Sequence, residues 1–205
     1  MLRHRLALFA VAATVAALAA AAQAGAVISG PIAVFWNFHR ISNTSSWLEG
    51  VAQDTGDGSI ITRQTWRAGS GQDYDECDSA TYDNVGGWLP SGYYTLVAHY
   101  DHYDGTKVKG RVWRWEDKRC AGGTGVLRTE LFTHSEETAD NGQYCPTAYD
   151  DPFCWEADFD YYSNGCIKLA HAQPYPSDVA QAHNLWDNYD GHHGDLWLAR
   201  RLYVY

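Results

Sequence analysis

The stretch that most clearly decides the fold is residues 93–115, which read YYTLVAHYDHYDGTKVKGRVWRW. It contains two runs rich in aromatic and β-branched residues, Tyr93–Tyr103 and Lys107–Trp115, on either side of Asp104-Gly105. Aromatic and β-branched residues favour strands, and Asp-Gly is a favoured pair in tight hairpin turns. The stretch therefore predicts a β-hairpin.

Similar short runs recur along the chain and predict a mainly β fold. The further predicted strands are Ile32–His39, Ser59–Trp66, Val126–Ser135 and Leu196–Tyr205. One helix is predicted, with Ser177 as its cap, apolar residues at three-to-four spacing, and Gly191 at its end. Two stretches without periodicity, 69–87 and 136–159, predict long loops that are functional or tied down.

The first 26 residues have the layout of a secretory signal peptide. Arg3 and Arg5 precede the apolar run Leu6–Ala22, and small residues follow it. This layout predicts cleavage near Ala24 or Ala26 and a secreted or cell-envelope protein. The alternative is an uncleaved membrane anchor, because a 17-residue apolar run is at the lower limit for crossing a bilayer. Residues 27–205 are then expected to form one domain, which we expect to be a monomer.

The charge balance is acidic, with 15 Lys and Arg against 25 Asp and Glu and a formal net charge of −10. Such a field does not attract nucleic acid or an anionic membrane surface. We therefore expect no nucleic-acid partner and, after signal cleavage, no membrane partner.

Five cysteines in an exported chain leave at least one thiol without a partner within the chain. Cys145 and Cys154 are nine residues apart in a proline-containing loop and suit a local bridge. Cys77 and Cys120 would then bridge the ends of the hairpin segment, leaving Cys166 free. Other pairings remain open, because spacing alone does not settle connectivity.

The cysteine left over stands in the segment Ser163-Asn164-Gly165-Cys166-Ile167-Lys168-Leu169. A turn of this composition can present a thiol together with backbone amides that stabilise an oxyanion. A nucleophilic cysteine also needs a proton acceptor, most often histidine. His134, at the end of a predicted strand, is the leading candidate among nine histidines, although spacing alone favours none of them.

These two segments together resemble the L,D-transpeptidase (YkuD-type) catalytic domain, in which a histidine precedes a Ser/Thr-x-Gly-Cys motif. The motifs here are Thr133-His134-Ser135 and the Cys166 segment. Upstream, Gly87-Trp88-Leu89-Pro90-Ser91-Gly92-Tyr93-Tyr94 is similar to the family's Thr-Pro-x-Gly-x-Tyr turn, with Leu89 in place of the threonine. The resemblance covers roughly residues 32–205 and implies a β-sandwich or mixed sheet with one helix in the C-terminal half and long loops.

The resemblance also implies an activity, the formation of a thioester with a peptidoglycan tetrapeptide stem and release of D-alanine. Cys166 would be the nucleophile, His134 the base, and the Ser135 carbonyl the group that orients the imidazole. The residues implied at the oxyanion hole and substrate side are Ser163, Asn164, Gly165, Cys166 and Lys168. No cofactor or metal is implied. Cross-linking to an amine and L,D-carboxypeptidase hydrolysis both remain open as the second step.

Three features depart from the family pattern. Asn164 stands where histidine is common, and Lys168 stands where arginine or asparagine is common, which loses a bidentate fork. The 32 residues from His134 to Cys166 exceed the usual interval, and we interpret residues 136–160 as an insertion. Bridging of Cys145 to Cys154 would make it a closed flap over the donor cleft. Lys168 is alternatively an ordinary surface charge.

Other classes are weaker matches. Papain-like enzymes place cysteine before histidine, and a sortase needs an arginine soon after its cysteine, whereas residues 167–197 contain none. Histidine and aspartate are residue types that bind zinc, and they occur together at His99, Asp101 and His102, with two more histidines at His192 and His193. His99 and His102 have opposite strand parity, however, so we expect no metal there. The remaining alternative is a non-catalytic, disulfide-tied secreted β domain that binds glycan or protein.

Overall fold

The computed structural model describes residues 30–78, 86–146, 153–171, 176–189 and 200–205. Within these ranges the elements, in chain order, are β1 (Ile32–His39), β2 (Ser46–Asp54), β3 (Ile60–Ser70), β4 (Gly92–Asp104), β5 (Lys109–Trp115), β6 (Lys118–Arg119), β7 (Leu127–Arg128), β8 (Phe132–His134), β9 (Ile167–Leu169), α1 (Asp178–Tyr189) and β10 (Arg200–Val204). The expected mainly β fold with one helix is therefore confirmed. The predicted signal peptide lies outside the described residues, as do residues 196–199 of the last predicted strand.

Eight of the strands close into a barrel in the order β1-β10-β4-β5-β8-β9-β3-β2. The expected sandwich of two sheets is not what these strands form. Most neighbours are antiparallel, but β1 pairs with β10 and β8 pairs with β9 in parallel. Closure satisfies the edge strands, which an open sheet would leave exposed.

The predicted hairpin is present as β4 and β5, joined through the turn after Asp104. The strand β2 was not predicted from the sequence. Gly50 interrupts its pattern, and a side chain at that position would meet Leu185 and Trp36. The glycine thus lets helix and strand approach closely, at the cost of the local strand signal.

The core combines barrel tryptophans with the apolar face of the helix. Trp36 packs on Trp113 at 5.4 Å and on Trp66 at 6.1 Å between ring centroids. The face of α1 that is buried includes Leu185 and Trp186. No helix in the described part of the chain is long and apolar enough to span a membrane.

The predicted strand 126–135 is divided into β7 and β8. Between them Glu130 adopts a left-handed backbone conformation with φ of 55°. Such a conformation is uncommon for a residue other than glycine. The break lets β8 join the barrel while β7 pairs with β6 instead.

Candidate active site

Cys166 ends a tight turn directly before β9, and Ser163 organises that turn. The Ser163 hydroxyl donates to the Cys166 carbonyl at 2.6 Å and accepts from the amides of Gly71 and Gly165 at 3.0 and 3.2 Å. Gly165 has φ of 109°, which favours glycine. The Ser-Asn-Gly sequence thus holds the backbone around the thiol in one conformation.

The buried side chain of Arg128 supports the same turn from below. Its guanidinium donates to the carbonyl of Asn164 at 2.9 Å and to that of Glu76 at 2.7 Å. It also donates to the carbonyls of Trp88 and Gly87 at 3.2 and 3.3 Å. One planar fork therefore fixes the cysteine turn against residues 76, 87 and 88.

Next to Glu76 in the chain, Cys77 is bridged to Cys120, one of two disulfides in the structure. The second is Cys145–Cys154, and Cys166 is the free thiol among the five cysteines. The predicted pairing is thus confirmed.

His134 lies at the end of β8, buried, with its ring held by its own neighbour. Nδ1 is 2.8 Å from the carbonyl oxygen of Ser135. Since a carbonyl only accepts, Nδ1 carries the proton and Nε2 presents a lone pair. Burial, together with the nearby charge of Lys168, lowers the pKa of His134 to about 4, against the hydrogen bond to the Ser135 carbonyl, which raises it. The imidazole is therefore neutral at physiological pH.

The parallel pairing of β8 with β9 brings the histidine and the cysteine to one side of the sheet. Thr133 pairs with Ile167 and His134 with Lys168. Because side chains alternate along strands, His134 and Lys168 share a face, and Cys166 at the start of that strand shares it too.

The thiol itself is protonated in this arrangement. Cys166 as a residue is half-buried, but the protein around its sulfur raises the pKa of the thiol to about 11 through burial. A backbone hydrogen bond from Phe132 and the charges of Lys168 and Arg128 oppose the rise. The sulfur lies 3.6 Å from the carbonyl oxygen of Glu130, so the thiol donates there. The left-handed conformation of Glu130 aims this carbonyl.

A cavity of about 460 Å³ opens over these groups. Its lining includes Cys166 and His134 together with Ser163, Asn164 and Lys168, so five of the predicted site residues meet in one place. Further lining residues are Lys107, Val108, Leu127, Arg128, Thr129, Glu130, Phe132 and Tyr162. Ser135 contributes through its carbonyl to His134, and Gly165 lies buried under the turn.

The donors near the sulfur differ from the expected set. The amide of Gly165 already donates to Ser163 Oγ. The side-chain oxygen of Asn164 accepts from Gln72 at 3.1 Å and from the Gly86 amide at 3.4 Å. The Gly165 amide and the Asn164 side-chain oxygen therefore brace the turn in this structure, which leaves the Cys166 amide, the Asn164 side-chain NH2 and the nearby cations as the groups to consider for an oxyanion.

Lys168 is not the surface charge that the sequence suggested. It is buried, and its ammonium pairs with the carboxylate of Glu136. Burial raises the pKa of Glu136 to about 7, against the opposing charge of Lys168. The lysine side chain also lies over the ring of Trp155, 5.9 Å from its centroid.

The insertion 136–160 therefore contacts the site through its two ends. Glu136 reaches Lys168 from one end, and Trp155 covers the lysine from the other. The described residues that line the cavity include none from the insertion itself. The expectation of a flap over the cleft remains a prediction, and the observed contact is with the lysine beside it.

No protein-family model, curated protein or solved structure matches this chain.

Three residues of the site were not predicted from the sequence. Arg128 belongs to a predicted strand, and no feature of the neighbouring sequence marks its side chain as buried. Lys107 was read as part of a strand beside the hairpin turn. Glu136 was assigned to a loop. One feature of the sequence points to Glu136 as a site residue: it is a charged residue two positions after His134, the candidate catalytic histidine.

Proposed function

We propose that this protein is a cysteine acyltransferase of the L,D-transpeptidase type that acts on peptidoglycan stem peptides outside the cell. The observation that carries the proposal is that Cys166, directly before β9, and a neutral, oriented His134 on the adjacent parallel strand β8 line one cavity. The order of the two residues and the Ser-Asn-Gly-Cys turn agree with the family resemblance. The two disulfides suit an oxidising compartment.

In the proposed reaction, His134 acts as a general base rather than as half of a resting ion pair. Both groups are neutral at pH 7, so the thiol must lose its proton as it attacks. Nε2 of His134 takes that proton while the Cys166 sulfur bonds to the carbonyl carbon of the stem's third residue. The C–N bond to D-alanine then breaks, and the imidazolium returns the proton to the leaving amine. A thioester remains, which an amine or water resolves.

The cations around the sulfur have a defined place in this scheme. Arg128 and Lys168 both lower the pKa of Cys166, so they favour negative charge at this point. The same positive potential stabilises charge that develops on the attacked oxygen. Each cation is held in place, Arg128 by carbonyls and Lys168 by Glu136.

Lys107 supplies a third positive charge at the cavity. It is exposed and belongs to the turn region between β4 and β5. Because Lys168 is already paired with Glu136, Lys107 is the better candidate to bind a carboxylate of the stem. The protein is acidic overall, with a net charge of −10, and would repel an anionic substrate at long range. The positive charges around the cavity counteract that repulsion locally.

The decisive assay incubates the purified mature protein with tetrapeptide muropeptides. We expect released D-alanine together with cross-linked dimers or tripeptides, and a mass adduct at Cys166 with a carbapenem. Cys166→Ala should abolish product, and His134→Gln should slow it by about 10²–10⁴-fold. Full activity in Cys166→Ala would overturn the proposal.

A second candidate function is a secreted binding domain without catalysis. The raised pKa of Cys166 favours it, because a thiol of pKa about 11 is mostly unreactive at rest. Exposed aromatic residues that could stack on glycan include Trp47, Tyr74 and Tyr93, exposed by 42%, 65% and 64%. Saturable glycan binding that Cys166→Ala leaves intact, with no D-alanine released by the wild type, would support this reading.

A further inference from the structure

A second cluster of titratable side chains joins the barrel to the helix. His99 and Asp101 are two residues apart on β4 and therefore share a face of the strand. His183 of α1 reaches them, with Nε2 at 3.0 Å from Asp101 Oδ1. Nδ1 of His99 lies 3.7 Å from that same oxygen. One ligand-type atom from each of the three residues lies within 4.8 Å of the others.

His183 lies between two carboxylates, and a neutral imidazole has too few N–H groups to donate to both of them. Its Nδ1 lies 3.0 Å from Asp187 Oδ2, and its Nε2 lies 3.0 Å from Asp101 Oδ1. A neutral imidazole has one N–H, so it can donate to only one of the two oxygens. The other contact then joins a lone pair to a carboxylate, which requires either a second proton or a metal cation.

We propose that His99, Asp101 and His183 bind a zinc-class divalent cation, with Asp187 orienting His183. In this scheme Nδ1–H of His183 donates to Asp187, and Nε2 points its lone pair at the metal. A carboxylate that holds the distal nitrogen of a ligating histidine is a recurrent support of zinc sites.

The distances suit such an ion with small adjustments. Zinc binds nitrogen and oxygen at about 2.0–2.2 Å, which places tetrahedral ligand atoms roughly 3.3 Å apart. The observed separations of 3.0 and 3.7 Å from Asp101 Oδ1 lie on either side of that value. Three protein ligands leave the fourth position open, as catalytic zinc sites do.

The chemistry of the ligands selects the metal class. Two imidazoles and one carboxylate suit zinc, copper, nickel or iron, whereas calcium and magnesium take oxygen ligands. The Asp101 side chain is 62% exposed and provides the path of entry.

His102, which the sequence offers as a partner of His99, is not part of this cluster. The Nδ1 of His102 is 3.1 Å from the Ala139 carbonyl oxygen. The helix supplies the second histidine from 84 positions away along the chain, a link between α1 and β4 that spacing could not reveal.

The test is zinc binding to the mature chain, purified without a polyhistidine tag and dialysed against chelator. Calorimetry at pH 7.5 should give one site, and cobalt substitution should give the visible absorption of a low-symmetry site. We expect His183→Gln and Asp101→Asn to weaken zinc binding by about 100-fold or more, and Asp187→Asn by about 10–100-fold. His102→Gln, on the same strand, is the matched control and should bind as the wild type does.

Zinc should also raise the melting temperature of the wild type and the His102→Gln variant, because a bound metal ties the helix to the barrel. Absence of wild-type zinc binding would overturn the proposal. Equal loss of affinity in His102→Gln would also overturn it, since binding would then be an unspecific property of surface histidines. Asp101→Asn is exposed and should fold, which keeps the test valid should His183→Gln prove unstable. None of these readouts depends on acyl transfer at Cys166.

Discussion

Alkylation of Cys166 at increasing pH tests the most consequential property of the site, its protonated resting thiol. Iodoacetamide reacts with the thiolate, so the rate follows the ionised fraction. With a pKa of about 11, about one molecule in 10⁴ is ionised at pH 7. A free cysteine of pKa about 8.5 is about 3% ionised there, about 300-fold more.

The higher pKa also makes the thiolate a better nucleophile, which offsets part of that difference. A Brønsted slope of about 0.4–0.5 over the difference of about 2.5 in pKa returns roughly a factor of 10. Alkylation at pH 7 should therefore be about 30-fold slower than for a free cysteine. More tellingly, the rate should rise about tenfold per pH unit from pH 6 to 9.5 without levelling off.

The assay is clean because Cys166 is the single free thiol, the other four cysteines being bridged. Intact mass under non-reducing conditions should show one adduct, and none in Cys166→Ala. In His134→Gln the profile should keep its unit slope, because the thiol donates to the Glu130 carbonyl and not to the imidazole. A rate that becomes constant below pH 8 would refute the reasoning and indicate a preformed thiolate–imidazolium pair.

Three further predictions concern the supports of the site. Arg128→Lys keeps the charge but cannot reach all four carbonyls, so urea denaturation should show that the free energy of unfolding falls by about 2–4 kcal/mol. The control is Arg119→Lys at an exposed position, which should change the free energy of unfolding by less than about 0.5 kcal/mol. Gly165→Ala combines a φ of 109° with a side chain pressed against Arg128, so it should lower the free energy of unfolding by at least about 2 kcal/mol. Gly122→Ala, at a position with φ of 64° and open space around it, should lower it by about 1 kcal/mol. Equal losses in the two variants would contradict the packing argument. The pKa of Glu136 is raised to about 7, so the folded protein retains a proton that the unfolded chain releases near pH 4.3. As the pH rises from 4.5 to 7, the free energy of unfolding of the wild type should therefore fall by about 3 kcal/mol relative to that of Glu136→Gln. A constant difference between those two proteins across this range would assign Glu136 an ordinary pKa.

The parts predicted best are those in which local signals and tertiary demands agree. The hairpin around Asp104-Gly105 and the helix at 178–189 have consistent patterns and turn or cap residues, and both are present. The strand β2 was missed because Gly50 serves packing against Leu185 at the expense of the strand pattern. The continuous strand at 126–135 was wrong because Glu130 takes a left-handed conformation that its residue type does not signal.

The site divides in the same way. The cysteine turn was readable because Ser, Asn and Gly are each suited to a tight turn, and Ser163 organises it as such residues do. The burial of Lys168 was not readable, since charged side chains are buried only when a partner is present. Its partner Glu136 lies 32 residues earlier in the chain, and only the pairing of β8 with β9 brings the two together.

By itself the sequence determined the β character of the chain and the turn composition before Cys166, because these follow from residue type and near neighbours. Tertiary structure alone decided that the strands close into a barrel, that Arg128 supports the cysteine turn, and that His183 meets Asp101. Each of these depends on which distant strands become neighbours. That choice is a property of the whole packed chain, since burial and charge pairing act between surfaces that local patterns do not specify.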